Sequence, residues 1–375
     1  MPSVSIASSR DIAVIGGGIV GLWTAFLAAR QGLSVTLLEK RTIGAGASGG
    51  LLGALMPHQP TGWNAKKQFQ LDGLLSLEAE IEAIESLTGM RAGYRRCGRL
   101  MPIRHAEKRR LSEQWAQASQ ESWPAPFQWQ VTDQTPDPGW LPQDQMQHGA
   151  NIDSLSARID PRALIAALHK AVALSGIEIL ENTEVSSVEN GAITLSDGSV
   201  LAAGRAILTA GWESFGLIDC MSGRGVKGQA ALLRPARPVD PSAPILYDNG
   251  TYVIAHENGF VAIGSTSENE FDDPASTDEK LEAVIAHAME ICPALDDAEI
   301  IERWAGIRPR ADGREPLVGP LPGHDDLLVA TGGFKISFAI AHLMARAVLI
   351  QACGKTPDFL PDLFLPENRL KPRTG

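Results

Sequence analysis

The sequence predicts a mixed α/β (α+β) fold, in which a Rossmann-like βαβ unit is combined with a mainly antiparallel sheet. Three stretches of the 375-residue chain carry this prediction. Residues 11–39 predict a strand, a glycine-rich turn, a helix and a second strand, residues 225–266 predict short strands separated by Asn-Gly turns, and residues 327–351 predict a strand, a glycine turn and a helix. At roughly 150 residues per domain, this length corresponds to two domains.

Composition and charge exclude several classes of protein. The chain carries 33 Lys and Arg against 44 Asp and Glu, a net charge of −11, so it would repel a nucleic-acid backbone on average, and it has no basic patch. The four cysteines show no C-x-x-C spacing, and the apolar stretches are broken before the roughly 20 residues that a membrane span needs. None of the eight histidines has a metal-ligand spacing. We therefore predict no nucleic-acid partner, no metal and no membrane span.

The N-terminal segment predicts where the protein resides. Met1 to Arg10 lacks the charged start and the apolar core of a signal peptide, so a reducing cytoplasm is the expected compartment. The sequence leaves the oligomeric state open.

The first βαβ unit carries a dinucleotide-binding signature. Asp11 to Ile15 predicts a buried strand, a helix follows, and Ser34 to Leu38 predicts a second strand that ends at Glu39. The intervening G-x-G-x-x-G permits a tight turn, a close approach of the backbone to a pyrophosphate and close helix–strand packing, and the acid accepts hydrogen bonds from a ribose. The alternative is that the glycines serve only a tight turn. The predicted contacts with an adenine dinucleotide are Gly16, Gly18, Ile19, Val20, Gly21 and Glu39.

The segment after Glu39 indicates which dinucleotide is bound. A nicotinamide-binding Rossmann domain normally continues with another helix and strand, whereas residues 40–50 form a loop of small residues that can lie against a ligand. A flexible surface loop is the alternative. The residues of this segment predicted to contact the cofactor are Lys40, Arg41, Ala47, Ser48, Gly49 and Leu51.

From this point the sequence resembles the glycine oxidase and D-amino-acid oxidase family of FAD-dependent amine oxidoreductases. Its members carry a basic residue after the ribose acid and then a Gly/Ala/Ser loop over the diphosphate, as residues 40–50 do. The resemblance continues through a helix that begins at Asp160-Pro161 and reaches Thr209-Ala210-Gly211-Trp212. It implies FAD as the cofactor, with Val185 near the adenine and Gly211 and Trp212 near the dinucleotide.

The C-terminal block carries the second part of the resemblance. Arg303 to Gly313 matches a family motif, and a helix predicted from about Phe334 to Gln351 begins directly after Thr331-Gly332-Gly333. In the family the positive end of this helix points at the isoalloxazine ring, where a helix dipole favours the negative charge of reduced flavin. The alternative is a packing helix behind a glycine turn. The nearest cysteine, Cys353, follows the far end of the helix, so FAD is expected to be bound without a covalent bond. The implied flavin contacts are Gly332, Gly333, Phe334, Lys335 and Ile336.

Three residues are candidates for the catalytic site. The resemblance implies that Arg308 pairs with a substrate carboxylate, for which a planar guanidinium is a natural partner, and that the hydroxyl of Tyr252 hydrogen-bonds the same carboxylate. Lys335 stands where glycine oxidases often have an arginine, and its charge would support the carboxylate or the flavin. The alternatives are that Arg308 forms a surface ion pair, that Tyr252 is an ordinary aromatic residue of the sheet and that Lys335 is a solvated lysine at the start of the helix. His58 and His256 are expected to be hydrogen-bonded structural residues.

Other segments predict further elements. Apolar residues at helical spacing make residues 67–87 an amphipathic helix, residues 88–103 are predicted as strands, and Gln117 to Ala150, rich in Pro and Gln, is predicted as a loop over the sheet. Turns are predicted at Glu189-Asn190-Gly191 and Ser196-Asp197-Gly198.

The resemblance spans nearly the whole chain and implies a domain division and a reaction. Residues 1–65, 151–220 and 300–375 would form an FAD-binding domain, and residues 66–150 and 221–299 a substrate domain. The reaction would oxidise an amine alpha to the carboxylate of a small amino-acid substrate. Hydride would pass to flavin N5, the imine would be hydrolysed, and oxygen or an electron carrier would take the electrons. Two alternatives stay open: a dehydrogenase that uses a quinone or carrier, and a non-catalytic flavin subunit of a larger complex.

Overall fold

The structure is a computed structural model that describes residues 10–189 and 191–370. We predicted that Met1 to Arg10 is not a signal peptide, and of these residues the described range includes only Arg10. The turn predicted at Glu189-Asn190-Gly191 has its central residue, Asn190, outside the described residues. Within the described residues the chain forms two eight-stranded sheets, one two-stranded sheet and seven α-helices. The predicted mixed α/β fold is confirmed.

The elements alternate along the chain. The strands are β1 (Arg10–Ile15), β2 (Val35–Leu38), β3 (Ala54–Leu55), β4 (Arg99–Pro102), β5 (Trp129–Thr132), β6 (Ala150–Asp153), β7 (Ala157–Arg158), β8 (Glu178–Leu180), β9 (Val185–Glu189), β10 (Ala192–Leu195), β11 (Val200–Leu208), β12 (Gly223–Arg234), β13 (Ile245–Asp248), β14 (Thr251–Ala255), β15 (Val261–Gly264), β16 (Glu299–Ala311), β17 (Leu317–Pro320) and β18 (Leu327–Thr331). The helices are α1 (Ile19–Arg30), α2 (Ala65–Thr88), α3 (Ala106–Ser122), α4 (Pro161–Leu174), α5 (Ser214–Leu217), α6 (Glu279–Ile291) and α7 (Ser337–Ala352).

The two large sheets differ in strand direction. The first has the order β17-β18-β11-β1-β2-β8, with β10 and β9 attached through β11. Its strands β18, β11, β1, β2 and β8 are parallel, so their carboxyl ends meet at one edge. The second has the order β16-β12-β15-β14-β13-β4-β6-β5 and is antiparallel except where β13 meets β4. Ligands of such α/β sheets bind outside the carboxyl ends of the parallel strands.

The predicted βαβ unit is confirmed in β1, α1 and β2. Ile12 to Ile15 are buried because β1 lies between β2 and β11. Helix α1 is apolar on every side because α4 and α7 pack against it as well as the sheet, and Leu22 and Trp23 are fully shielded from solvent. A methyl group at Gly21 would overlap the carbonyl oxygen of Gly16, so this close helix–strand approach needs a glycine.

The predicted helix at residues 67–87 is confirmed as α2. Asn64 caps its start, since its side-chain oxygen accepts a hydrogen bond from Lys67 N at 3.1 Å. Gly89 ends it with a φ of 68°, in the left-handed region that glycine tolerates. The helix packs on α7 and α4, and the predicted apolar positions, Leu71, Leu74, Leu77, Ile81 and Ile84, are buried.

The predicted strands of residues 225–266 are present as β12 to β15, but only β13, β14 and β15 form a meander, because β12 pairs with β15 and not with β13. Tyr252 in β14 stands opposite Tyr247 in β13, with ring centroids 4.8 Å apart. Helix α6 packs on this sheet over a second apolar core that includes Leu246, Val253 and Ile263.

Strand β16 is the long partner of β12. Its register places Arg308 opposite Val226 and Gly306 opposite Gly228. Because β16 begins at Glu299, the domain boundary predicted at residue 300 falls inside this strand of the second sheet. The domain division stays a prediction.

The stretch from Gln117 to Ala150 is not the predicted loop. Helix α3 continues to Ser122, and β5 pairs with β6 at the edge of the second sheet. The tryptophan in this edge strand explains the difference, because Trp129 is buried between Trp115 and Trp123 and donates from its indole nitrogen to Asn151 at 2.8 Å. Tertiary burial of the indole thus stabilises a strand that the local Pro- and Gln-rich composition opposes.

Two other predictions need correction. Only β4 forms a regular strand within residues 88–103, and the preceding residues form an irregular segment that makes one bridge between Arg95 and Arg158. The C-terminal helix does not begin at Phe334, because Phe334–Ile336 form a 3-10 turn and α7 starts at Ser337. The positive φ of Phe334, 49°, interrupts the α-helical backbone there.

Among the residues that the structure describes, one helical stretch, Phe334–Ala352, is long and apolar enough to cross a membrane by length and composition. In the structure it packs against α1 and α2, and residues 339–345 are buried. A core helix of this kind has the same composition as a membrane span.

Candidate active site

A cavity of ≈ 630 Å³ is lined by residues of both large sheets. Ile15, Leu38, Thr209 and Ala330 line it at the carboxyl ends of β1, β2, β11 and β18. Its size lies within the range of ligand sites, about 300 to 1,000 Å³. The position matches the ligand-binding edge expected for a parallel sheet.

The glycine turn lies at one end of this cavity, at the N-terminus of α1. Gly16 has a φ of 113°, and a methyl group there would lie 2.7 Å from the backbone of Thr209. Ile19 N donates to Ser48 Oγ at 3.0 Å, so the small-residue loop folds back over the start of the helix. This is the arrangement expected of a loop that encloses a diphosphate on a helix N-terminus.

Glu39 is held by the backbone around it. Its Oε2 accepts from Gly17 N at 2.7 Å and its Oε1 accepts from Arg41 N at 2.9 Å. A carboxylate has about four acceptor positions, so two remain for the hydroxyls of a ribose. The carboxylate lines the cavity, and these two backbone N–H groups fix its orientation there.

The two basic residues after Glu39 differ in their ion pairing. Lys40 Nζ pairs with Glu184 at 2.9 Å and with Glu213 at 3.5 Å, and these carboxylates raise the pKa of Lys40. These two carboxylates balance the charge of Lys40. Arg41 also lines the cavity, and within the described residues its guanidinium makes no ion pair. Arg41 is the better candidate of the two for a phosphate.

Most of the predicted cofactor contacts line the one cavity, although their role in binding FAD stays a prediction. The two that do not are Gly21 and Gly49, and a methyl group at Gly49 would lie 2.7 Å from the oxygen of Gly44. These glycines permit close backbone packing instead. The predicted residues on the cavity wall are Gly16, Gly18, Ile19, Val20, Glu39, Lys40, Arg41, Ala47, Ser48, Leu51, Val185, Gly211, Trp212, Gly332, Gly333, Phe334, Lys335 and Ile336.

Arg308 also lines the cavity, and among the described residues no carboxylate forms a hydrogen bond or ion pair with it. Its Nη2 donates to Ser265 Oγ at 2.9 Å and its Nη1 to the Thr266 oxygen at 3.2 Å. Burial lowers its pKa from the usual value for arginine. A guanidinium with only neutral partners is a site for an anion.

Tyr252 and Lys335 line the same cavity, and the charge of Arg308 acts on both. Burial raises the pKa of Tyr252 to about 12, so its hydroxyl stays a neutral hydrogen-bond donor. Burial and the charge of Arg308 lower the pKa of Lys335, although its side chain is exposed to the open cavity. The structure thus brings all three predicted catalytic candidates together, and their catalytic role stays a prediction.

Several wall residues were not predicted from the sequence. Trp304 lines the cavity, and its ring occupies space that a methyl group at Gly306 would fill. It lies inside the C-terminal motif block, which is the signal that could have identified it. Ser265 follows β15, and Gln70 lies on the buried face of α2 and donates to the Met56 oxygen at 2.7 Å. No local sequence pattern distinguishes Ser265 and Gln70 from ordinary residues of a sheet and a core.

The two histidines near the site, His58 and His256, differ in their hydrogen bonding. His256 is a structural residue as predicted, with Nε2 2.9 Å from the Leu51 oxygen. His58 has no hydrogen-bond partner at Nε2, which corrects the prediction, and burial lowers its pKa to about 4, so its imidazole is neutral. Across the described ranges, no group of three or more His, Cys, Asp or Glu side chains is arranged to hold a metal ion.

The glycine turn on a helix N-terminus, the carboxylate of Glu39 and the guanidinium of Arg308 line one cavity, which is the arrangement expected of a dinucleotide-dependent oxidoreductase. Residues 11–347 match the family described as FAD dependent oxidoreductase (DAO). The chain belongs to this family, and its cofactor is FAD. The expected enzyme class, an FAD-dependent oxidoreductase that acts on CH–NH₂ or CH–NH groups, is confirmed at the level of the family.

Individual relatives agree with this assignment. The chain is 28% identical to a glycine oxidase of Pseudomonas putida over 96% of this chain and 100% of that one. It is 25% identical to a glycine oxidase of Geobacillus kaustophilus over 90% of this chain and 91% of that one. The crystal structure of the glycine oxidase from Geobacillus kaustophilus superposes with a TM-score of 0.84 at 23% identity, over 95% of this chain and 98% of that one. The resemblance to the glycine oxidase and D-amino-acid oxidase family is confirmed.

Proposed function

We propose that the protein oxidises an amino acid or an N-substituted amino acid at the carbon that carries the amine, as the glycine oxidases it resembles do by name. The single observation that carries this proposal is the guanidinium of Arg308, which is half-buried in the cavity wall and hydrogen-bonded only to the neutral oxygens of Ser265 and Thr266. A guanidinium that is partly withdrawn from water and has no anionic hydrogen-bond partner favours an anion, and a carboxylate offers two oxygens in the geometry of the guanidinium fork. The proposed substrate therefore has a carboxylate.

The residues around Arg308 would position this substrate. Arg308 would hold the carboxylate, and the Tyr252 hydroxyl, a donor at physiological pH, would add a hydrogen bond to it. The apolar side chains of Met56, Trp304 and Ile307 line the cavity and would exclude water from the reacting carbon. Bound FAD would supply the hydride acceptor, and the imine product is hydrolysed in water. A neutral amine already promotes hydride loss, so the chain has to supply position more than a base.

The cavity wall supports binding of FAD without a covalent bond. None of the four cysteines lines the cavity in the part of the chain that the structure describes, and Cys353 follows the last residue of α7, remote from the glycine turn at Gly332-Gly333. The backbone around Gly16 and the carboxylate of Glu39 would hold the dinucleotide. We keep a reducing cytoplasm as the proposed location.

An anaerobic titration tests the proposal. The flavin of the purified protein is titrated with glycine, N-methylglycine, D-amino acids and cyclic amino acids, each beside the matching amine without a carboxylate. We expect bleaching by at least one amino acid and little by its matching amine. Bleaching by amines and amino acids alike, or by none of them, would contradict the proposal, and the latter would favour a non-catalytic flavin subunit. Reoxidation by oxygen or only by a dye or quinone then distinguishes an oxidase from a dehydrogenase.

A further inference from the structure

The segment that follows β15 carries both hydrogen-bond acceptors of the Arg308 guanidinium. Arg308 Nη2 donates to Ser265 Oγ at 2.9 Å, and Nη1 donates to the backbone oxygen of Thr266 at 3.2 Å. Strand β15 ends just before Ser265, and pairing with β12 resumes only at the bridge that Glu268 makes with Lys227. The two acceptors therefore lie outside the regular ladder of the sheet, and other contacts have to fix their position.

The hydroxyl of Thr266 ties this segment to β12. Its Oγ1 accepts from Gln229 N at 2.9 Å and donates to Glu268 Oε1. Thr266, Gln229 and Glu268 are all buried, so water does not compete for these hydrogen bonds. The hydroxyl thus links the backbone oxygen that accepts from Arg308 to a central strand of the sheet.

Glu268 is itself held by two further donors. It accepts from Gln229 Nε2 at 2.9 Å and from Lys280 Nζ at 2.8 Å. The Gln229 side chain also donates to Asp278 Oδ1 at 2.7 Å and accepts from Asp278 N at 2.9 Å, at the start of α6. Both oxygens of Glu268 and all donors and acceptors of the Gln229 amide are in use. A buried network that is satisfied in this way is rigid.

We propose that Thr266 is a positioning residue for the substrate carboxylate, because its hydroxyl fixes the backbone oxygen that orients the Arg308 guanidinium. This inference rests on the proposed function, in which Arg308 receives that carboxylate. The same network occupies both oxygens of Glu268, an acid whose charge acts on Arg308. The guanidinium therefore keeps donors for a ligand, since two neutral oxygens do not saturate its five N–H groups.

Substitutions of Thr266 that differ in the hydroxyl test the inference. Thr266→Val keeps the shape of the side chain and removes the hydroxyl, whereas Thr266→Ser keeps the hydroxyl. Anaerobic flavin reduction gives a Kd and a limiting rate for an amino acid and for the matching amine without a carboxylate. We expect Thr266→Val to weaken binding of the amino acid about fivefold, the effect of one ordinary hydrogen bond, and to leave the amine unchanged. Thr266→Ser should bind the amino acid as the wild type does.

Thr36→Val is the matched control. Thr36 is a buried threonine of the first sheet whose hydroxyl donates to Glu178 at 3.1 Å, so this variant loses the same kind of bond in the other sheet. Both compounds should behave with it as with the wild type. The inference would be overturned if Thr266→Val weakened amino acid and amine equally or weakened neither, or if Thr266→Ser weakened the amino acid as much as Thr266→Val.

Glu268→Met tests the same network from its other end and keeps the inference testable if Thr266→Val does not fold. Methionine keeps the length of the side chain and removes the acceptor of Thr266 together with the negative charge. Loss of the charge alone would strengthen the attraction of Arg308 for a carboxylate. We expect weaker binding of the amino acid, because the position of Arg308 is lost. Unchanged or tighter binding would overturn the inference.

A carboxylate that cannot be oxidised separates this inference from the proposed function. Propionate has no amine, and calorimetry on the FAD-loaded protein gives its Kd in the wild type, Arg308→Ala and Thr266→Val. Weaker binding by both variants, with no flavin reduction by any amino acid, would uphold the positioning role and contradict the proposed function. Weaker binding by Arg308→Ala alone would leave the proposed function standing and overturn the inference. Equal binding by all three proteins would overturn both.

Discussion

The guanidinium of Arg308 lies directly over the α carbon of Gly228. A methyl group at Gly228 would overlap both terminal nitrogens and the central carbon of that guanidinium. Gly228 is in β12, adjacent to the strand that carries Arg308, and its backbone is not in the left-handed region that itself requires glycine. The glycine is therefore required by the arginine side chain.

Gly228→Ala should displace Arg308 without unfolding the sheet. We expect the rate of anaerobic flavin reduction by an amino acid to fall about tenfold or more, since misplacing a carboxylate partner loses an orienting contact. FAD affinity and the far-ultraviolet circular dichroism should stay at wild-type values.

A double-mutant cycle shows whether Gly228 acts through Arg308. If it does, Gly228→Ala should have no further effect on amino-acid oxidation once Arg308→Ala is present. Additive losses would mean that the alanine acts on the sheet or on another wall residue.

Glu39→Gln should weaken the binding of FAD and leave the chemical step nearly unchanged. The amide nitrogen of Gln would face one of the backbone N–H groups, of Gly17 or Arg41, that now donate to the carboxylate. Together with the lost charge this should cost about 1 to 3 kcal/mol of FAD affinity. Fluorescence titration of the apoprotein measures it, with the exposed Glu107→Gln as the control. Normal affinity combined with abolished flavin reduction would refute the role given to Glu39.

Acid precipitation should release all of the flavin into the supernatant. No cysteine lines the cavity within the described residues, so no thiol is placed to form a bond with the ring. The absorbance of supernatant and pellet measures the released fraction. A pellet that stays yellow would show a covalent bond.

His342 should make the protein less stable as the pH falls. It is fully buried on α7, its Nε2 lies 2.8 Å from Ser76 Oγ, and its Nδ1 has no hydrogen-bond partner. Burial lowers its pKa to about 3. The unfolded chain takes up a proton near pH 6.5, whereas the folded chain does not, so this contribution is present above pH 6.5 and is lost as the pH falls towards 3.

Between pH 7.5 and pH 5 the contribution of His342 to the free energy of unfolding should fall by about 2 kcal/mol. Urea unfolding at both values measures it. His342→Gln should be less stable than the wild type at pH 7.5 but should lose less on acidification, and the exposed His105→Gln should lose as much as the wild type. An unchanged loss in His342→Gln would contradict the assignment. His58, whose pKa is lowered to about 4, contributes in the same direction in every variant.

The sequence predicts those parts of the fold that local patterns determine. The βαβ unit around Gly16, the helix α2 and the strands β12 to β15 follow from periodicity and turn residues, and each is present. Strand β5 was missed because the burial of Trp129 between two other indoles depends on tertiary pairing. The balance of charge on Lys40 was missed for the same reason, since Glu184 and Glu213 are distant in sequence.

The candidate site also divides into residues that local sequence patterns identify and residues whose role depends on the tertiary fold. The G-x-G-x-x-G turn and Glu39 could be assigned from their own spacing, because one βαβ unit holds them. Arg308 and Tyr252 lie on separate strands of the second sheet, and only the resemblance connected them before the fold brought both to one cavity. Gly228 and Ser265 carry no signal of their own, since their role depends on where the Arg308 side chain lies.

The central claim is that Arg308 receives the carboxylate of the substrate. The most direct test is the rate of anaerobic flavin reduction by an amino acid and by the matching amine without its carboxylate, in the wild type, Arg308→Ala and Arg308→Lys. Arg308→Ala should weaken the binding and orientation of the amino acid by about 2 to 5 kcal/mol, and its reduction of the flavin should slow accordingly, while the amine should be almost unaffected. Arg308→Lys should fall between the two because an ammonium cannot form two parallel hydrogen bonds. Equal losses on both compounds would show that Arg308 supports the flavin or the fold and that the carboxylate is held elsewhere.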